Sequence, residues 1–132
     1  MPKPVTSARR FFLLMLFAVA VALSVTAQAS TALMQRMVGA WVDGENYFEL
    51  GAEGQVVIHL KAGQVAGKRT LEGDWWVGED GTLMFALVVL DRAPRRVGLV
   101  RFDGDDMLFE NDDGSVTRNR RNAGAPPAEF VW

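Results

Sequence analysis

Turn signals recur along this chain at a spacing of about ten residues. They are Asp43-Gly44, Glu53-Gly54, Ala62-Gly63, Asp80-Gly81, Asp91 to Pro94, Asp103-Gly104 and Asp113-Gly114. Asp-Gly pairs favour tight hairpins because glycine, and less readily aspartate, tolerates positive φ. No segment between two turns is long enough for a crossover helix, so neighbouring strands are expected to be antiparallel. The spacing predicts strands near Ala40–Val42, Asn46–Leu50, Gln55–Leu60, Thr70–Val77, Thr82–Leu90, Arg95–Phe102, Met107–Glu110 and Ser115–Arg120. The first either stands alone or merges with the second through a bulge at Gly44. The expected fold is all-β: an up-and-down antiparallel meander of about eight short strands, closed into a small barrel so that no edge is left.

The run Thr82 to Leu90 carries apolar side chains on both alternating faces, Leu83, Phe85, Leu87 and Val89 against Met84, Ala86, Val88 and Leu90. Such a strand needs cover on both sides, and it is expected to be central. Gln55–Leu60 alternates Val56, Ile58 and Leu60 against Val57 and His59. Arg95–Phe102 sets Val97, Leu99 and Arg101 against Gly98, Val100 and Phe102. Ser30 or Thr31 can cap a short N-terminal helix carrying Leu33, Met34, Met37 and Val38 in one stripe, with Gly39 ending it. That helix reads as a lid over the core.

The N-terminus has a different character. Lys3, Arg9 and Arg10 precede an apolar run from Phe11 to about Val25, then Ala27-Gln28-Ala29. This is the pattern of a signal peptide over 1–29, with cleavage after Ala29 and a periplasmic or secreted product. The apolar run is shorter than the ~20 residues of a membrane span, which argues against a stable anchor. Arg9-Arg10-Phe11-Phe12-Leu13 is also similar to the twin-arginine export motif, so either export route is open. There is no cysteine, so the exported domain, residues 30–121, must hold together by packing alone. The tail, 122–132, contains Gly124, Pro126 and Pro127 and should be irregular. Phe130 and Trp132 are expected to pack on the outside of the barrel. The two prolines and the short strands speak against an outer-membrane barrel.

The whole chain has a formal net charge of −2. All 16 acidic residues lie beyond Ala29, whereas three of the 14 basic ones precede it. The domain is therefore more acidic than the whole, which argues against nucleic acid or anionic membrane as its main partner.

Signals for chemistry are weak. His59 is the sole histidine, and without cysteine no mixed metal site can form. Asp103, Asp105 and Asp106 lack the calcium-loop pattern and its distal Glu. Glu79-Asp80 and Asp112-Asp113 lie in turns, where solvent keeps carboxylates near their ordinary behaviour. The serines of the domain have no positioned base. The expectation is a protein that is not an enzyme, with no cofactor and no metal.

The aromatics are more informative. Trp75 and Trp76 are adjacent on a strand, so one must point inward and the other outward. Counting hairpins places Glu53, Glu79, Asp80, Asp103, Asp105 and Asp106 at one end of the barrel. Lys61, Lys68, Arg69, Arg92, Arg95 and Arg96 fall at the other, with Asp112-Asp113. Candidate ligand-binding residues are Trp75 and Phe85 within, and Arg92, Arg95 and Arg96 at the basic end. The ligand class is a small apolar or amphipathic molecule.

Gly39-Ala40-Trp41 resembles the G-x-W signature that opens the first strand of lipocalins and the wider calycin group. Ser115 to Arg121 resembles the closing strand of that group, where an arginine packs across the tryptophan. Tyr47-Phe48-Glu49-Leu50 and Gly73-Asp74-Trp75 look similar to segments of small bacterial lipocalin-like domains. The resemblance implies a monomeric barrel closed at one end by the helix and open at the other. It assigns a structural role to Gly39, Trp41 and one of the closing arginines, with Arg118 or Arg120 placed ahead of Arg121. Two departures stand out: the chain is shorter than a typical lipocalin, and Asp43-Gly44 replaces the long lid loop. A second resemblance is to small periplasmic inhibitors of secreted bacterial metalloproteases. These share the signal peptide, the Gly-x-Trp strand and the eight-stranded barrel, and their N-terminal segment enters the protease cleft. That family usually carries a disulfide, which is missing here.

Overall fold

The computed structural model describes residues 31–130. The proposed signal peptide, and with it the export route, lies outside the described residues, as does Trp132. A short helix, α1, covers 31–37. Eight strands follow: β1 (Gly39–Val42), β2 (Asn46–Leu50), β3 (Gln55–Leu60), β4 (Thr70–Val77), β5 (Thr82–Leu87), β6 (Pro94–Asp103), β7 (Asp106–Glu110) and β8 (Val116–Arg121). Each pairs antiparallel with the next, and β8 returns to β1, closing the barrel in meander order. The β1–β8 seam is short, with only Trp41 opposite Arg121 and Val42 opposite Arg120.

The alternation read in the sequence sorts the core. Trp41, Phe48, Leu50, Val56, Leu71, Trp75, Leu83, Met107 and Phe109 point inward and are buried, and Met37 of α1 joins them. Trp75 is interior while Trp76 takes the outer wall, half-buried. β4 and β5 cross so closely at Gly73, opposite Leu87, that a Cβ there would lie 2.8 Å from the Leu87 Cα. Only glycine admits that approach.

Three local expectations are corrected and one open alternative is resolved. The strand in the Thr82–Leu90 run stops at Leu87, and Val88–Leu90 form a 3-10 turn. A continued strand would send Val89 and Leu90 to opposite faces. The turn instead lays both against the core and leaves Val88 outside, so burial overrides β propensity. β1 does not merge with β2, because Asp43 Oδ1 accepts the N–H groups of Glu45 and Asn46, both at 2.8 Å, and fixes a turn. A register shift between Leu83 and Met84 rotates Val97 inward alongside Gly98 and Val100, breaking the simple alternation of β6.

The fourth concerns charge. The turns alternate between the ends as counted, but one cation of the basic set also reaches the acidic set. Arg96 reaches Asp112 at 3.1 Å and also Asp80, of the acidic set, at 3.8 Å. Arg96 stands opposite Met84, part-way along the wall, and from there its side chain reaches carboxylates of both sets. The meander order stands on the strand register and does not require the two sets to be apart.

The tail is irregular, as expected, but docked. Phe130 is buried against the outward-facing Tyr47, with ring centroids 6.1 Å apart, and Lys61 and Glu129 approach to 3.4 Å over it.

Candidate functional site: a clamped closed end and an open mouth

The register decides which arginine closes the barrel. Trp41 points inward and Arg121 is its partner across the seam, so the two share a face. The Arg121 guanidinium carbon sits 4.2 Å from the Trp41 ring centroid. Its Nη1 donates to Val38 O at 3.0 Å and its Nη2 to Arg36 O at 2.8 Å. The indole Nε1 of Trp41 donates to Met37 O at 2.9 Å. Three carbonyls at the end of α1, which lack partners within the helix, are thereby satisfied. Gly39 is required twice over: its φ is +135°, and a Cβ there would lie 2.7 Å from Arg121 Nη1. Arg36 adds a second clamp, stacked 4.0 Å from the Phe102 centroid and donating to Gly104 O at 2.9 Å.

The expectation that Arg118 or Arg120 would cover Trp41 is therefore corrected. Both lie on the outer face, one strand position out of phase with Arg121. Arg118 donates to Asp106 at 2.7 Å and Asp103 at 2.9 Å. Arg120 has no ion-pair or side-chain hydrogen-bond partner among the described residues.

At the opposite end the barrel opens into a cavity of about 200 Å³. Phe48, Ile58, Phe85, Val97 and Phe109 form its apolar walls. Asp43, Asn46, Asn111 and Thr117 form its polar rim. The rim is largely self-satisfied: Asp43 holds its own turn, and Asn111 Nδ2 donates to Ser115 Oγ at 3.0 Å and Thr117 Oγ1 at 3.2 Å.

Of the candidate ligand-binding residues, the structure brings only Phe85 to this cavity. Trp75 is buried deeper, its Nε1 donating to Gly51 O at 2.9 Å, toward the closed end. Arg95 pairs with Phe85 across β5 and β6, is exposed and does not line the cavity. Arg92 and Arg96 lie on the outer wall, bound to Asp74 at 2.8 Å and to Asp112 and Asp80. Phe48 and Phe109 were legible as strand aromatics. Their position at the mouth needed the strand register.

Among the described residues no group of three or more potential metal ligands converges. No family model, no curated protein and no solved structure matches the chain.

Proposed function

We propose that the chain is an exported, monomeric, lipocalin-like binding protein that does not catalyse. Its mouth takes a small apolar group, or the apolar end of an amphipathic molecule. The observation that carries this reading is the apolar, aromatic-walled cavity beneath a polar rim, the usual composition of a ligand pocket. Its 200 Å³ is below the ~300–1,000 Å³ of pockets that enclose a drug-sized ligand. The fitting ligand is therefore a small molecule or one tip of a longer one. Arg95, the exposed cross-strand neighbour of the cavity-lining Phe85, has no partner among the described residues and suits an anionic head group. The rim's one carboxylate holds a turn, and no histidine lines the cavity, which supports a binding role. The Gly39–Trp41–Arg121 unit supports the lipocalin resemblance. The inhibitor-like alternative, in which the N-terminal segment enters a partner, has less support because Arg121 clamps the end of α1.

Native mass spectrometry of protein recovered from the periplasm of its own host tests the reading. A retained small molecule is expected in the parent and not in Val97→Phe, which fills the cavity. Retention by that variant with an unchanged melting temperature would sink the proposal.

A further inference from the structure

The closure of the barrel is incomplete on the mouth side. The seam register ends at Val42 opposite Arg120, and the next amide of that chain, Asp43 N–H, turns back to Asn46 O at 3.1 Å. Residues 116–119 of β8 pair with β7 on one side and, among the described residues, have no strand on the other. The hydrogen bond from Asn122 N–H to Ala40 O, at 2.8 Å, fixes the phase of the seam. By strand alternation the peptide groups of Val116 and Arg118 then face the gap. Beside it lies a cleft of about 500 Å³, bordered by Val42, Asp43, Gly44, Arg118, Arg120 and Pro127 of the tail; the Asp43 carboxylate is held by its own turn. Val116, half exposed at 50%, is one of two large apolar residues in the open among the described residues, and it continues the same outer row.

We infer that this seam edge is a docking site for an extended acidic peptide segment, added as a short strand beside β8. An open edge supplies main-chain hydrogen bonds, and the side chains flanking it set the preference. Here the flanking row is Val116, Arg118 and Arg120. Arg118 is already neutralised by Asp103 and Asp106, so Arg120 is the cation that takes a carboxylate. Val42 and Pro127 offer contact to an apolar side chain. The four residues 116–119 span about 13 Å at roughly 3.3 Å each, enough for three or four residues of a partner. A second copy of this chain is a poor occupant. Antiparallel self-pairing of this edge would face the row with Val116, Arg118 and Arg120 again and would offer Arg120 no carboxylate. The cleft shares only Asp43 with the mouth cavity; Thr117 of the edge turns its side chain into the mouth, whereas the edge itself is offered by the peptide groups of Val116 and Arg118.

The probe is a capped hexapeptide of alternating glutamate and valine, titrated into the isotope-labelled full chain. Saturable amide shifts are expected at residues 116–119 and 42–44, with slowed hydrogen exchange at Val116 and Arg118. N-methylation of one alternate set of peptide residues should abolish binding, while methylation of the other set is tolerated, because a strand pairs through one edge. Arg120→Glu should weaken binding by about three- to tenfold, and Arg95→Glu should leave it unchanged. Equal binding of both N-methylated peptides would reduce the contact to charge alone and overturn the proposal. So would the absence of saturation at millimolar peptide, which would leave Arg118 and Arg120 as guards of an edge that nothing joins.

Discussion

The guanidinium of Arg121 covers the Trp41 indole at 4.2 Å while donating to the carbonyls of Val38 and Arg36. One side chain thus joins the last strand, the first strand and the helix. Such stacking contributes roughly 0.5–2 kcal/mol, and each hydrogen bond about 1 kcal/mol more. Trp41→Phe and Arg121→Ala, made singly and together, should show a coupling energy above the ~0.5 kcal/mol scatter of independent sites. Arg118→Ala and Arg120→Ala should show none with Trp41. Coupling of Trp41 to either of those two would contradict the register of the seam. Chemical denaturation of the four single variants and the three doubles with Trp41 measures this directly.

Gly39→Ala strains the same unit from the other side. The substitution forces a left-handed backbone on a residue with a Cβ and displaces Arg121 Nη1. A loss of about 1–3 kcal/mol is expected. In Arg121→Ala the loss should shrink, since the clash is gone and only the backbone term remains.

The β5 run should show a sharp boundary. Leu83 and Leu87 are buried, so truncation of either to Ala should cost about 2–5 kcal/mol. Phe85 borders the open cavity, so Phe85→Ala should cost less than a fully enclosed ring would and should widen the mouth. Val88, at 41% exposure, should change stability by no more than about 0.5 kcal/mol on truncation. A large loss at Val88 would restore the longer strand that the apolar pattern suggested.

What was legible in the sequence follows from range. Turn chemistry and period-2 alternation are local, and they placed every strand of the barrel to within a residue or two, except at Leu87. There the tertiary demand to bury both Val89 and Leu90 outweighed local preference. Register across a seam between residues some 80 positions apart is not local. Three arginines stand at Arg118, Arg120 and Arg121, and only the pairing with Trp41 shows that the last one faces inward. The mouth was hidden for the same reason. Phe48, Phe85 and Phe109 come from three strands, and Val97 joins them through a bulge that no alternation rule foresees. Trp75, the most conspicuous candidate, lies toward the other end.

Tyr47 provides the last test, and it concerns the tail. Its ring is buried under Phe130, and its hydroxyl donates to Glu49 Oε1 at 2.6 Å. Burial first, then the hydrogen bond to Glu49 and the charge of that carboxylate, push the phenol from its ordinary value up to about 12. The neutral phenol is the form the folded state favours. Its contribution is therefore complete below pH ~10, the value in the unfolded chain, and is lost as pH rises from there toward 12. Tyr47→Phe keeps the ring contact with Phe130 and removes the titration. Alkaline titration followed by tyrosine absorbance, with stability measured at each pH, should show the parent losing stability above pH ~10 and Tyr47→Phe losing less across the same window. Phe130→Ala should bring the phenol down toward its ordinary value by admitting water. An unchanged titration in that variant would mean that the tail does not cover Tyr47 in solution.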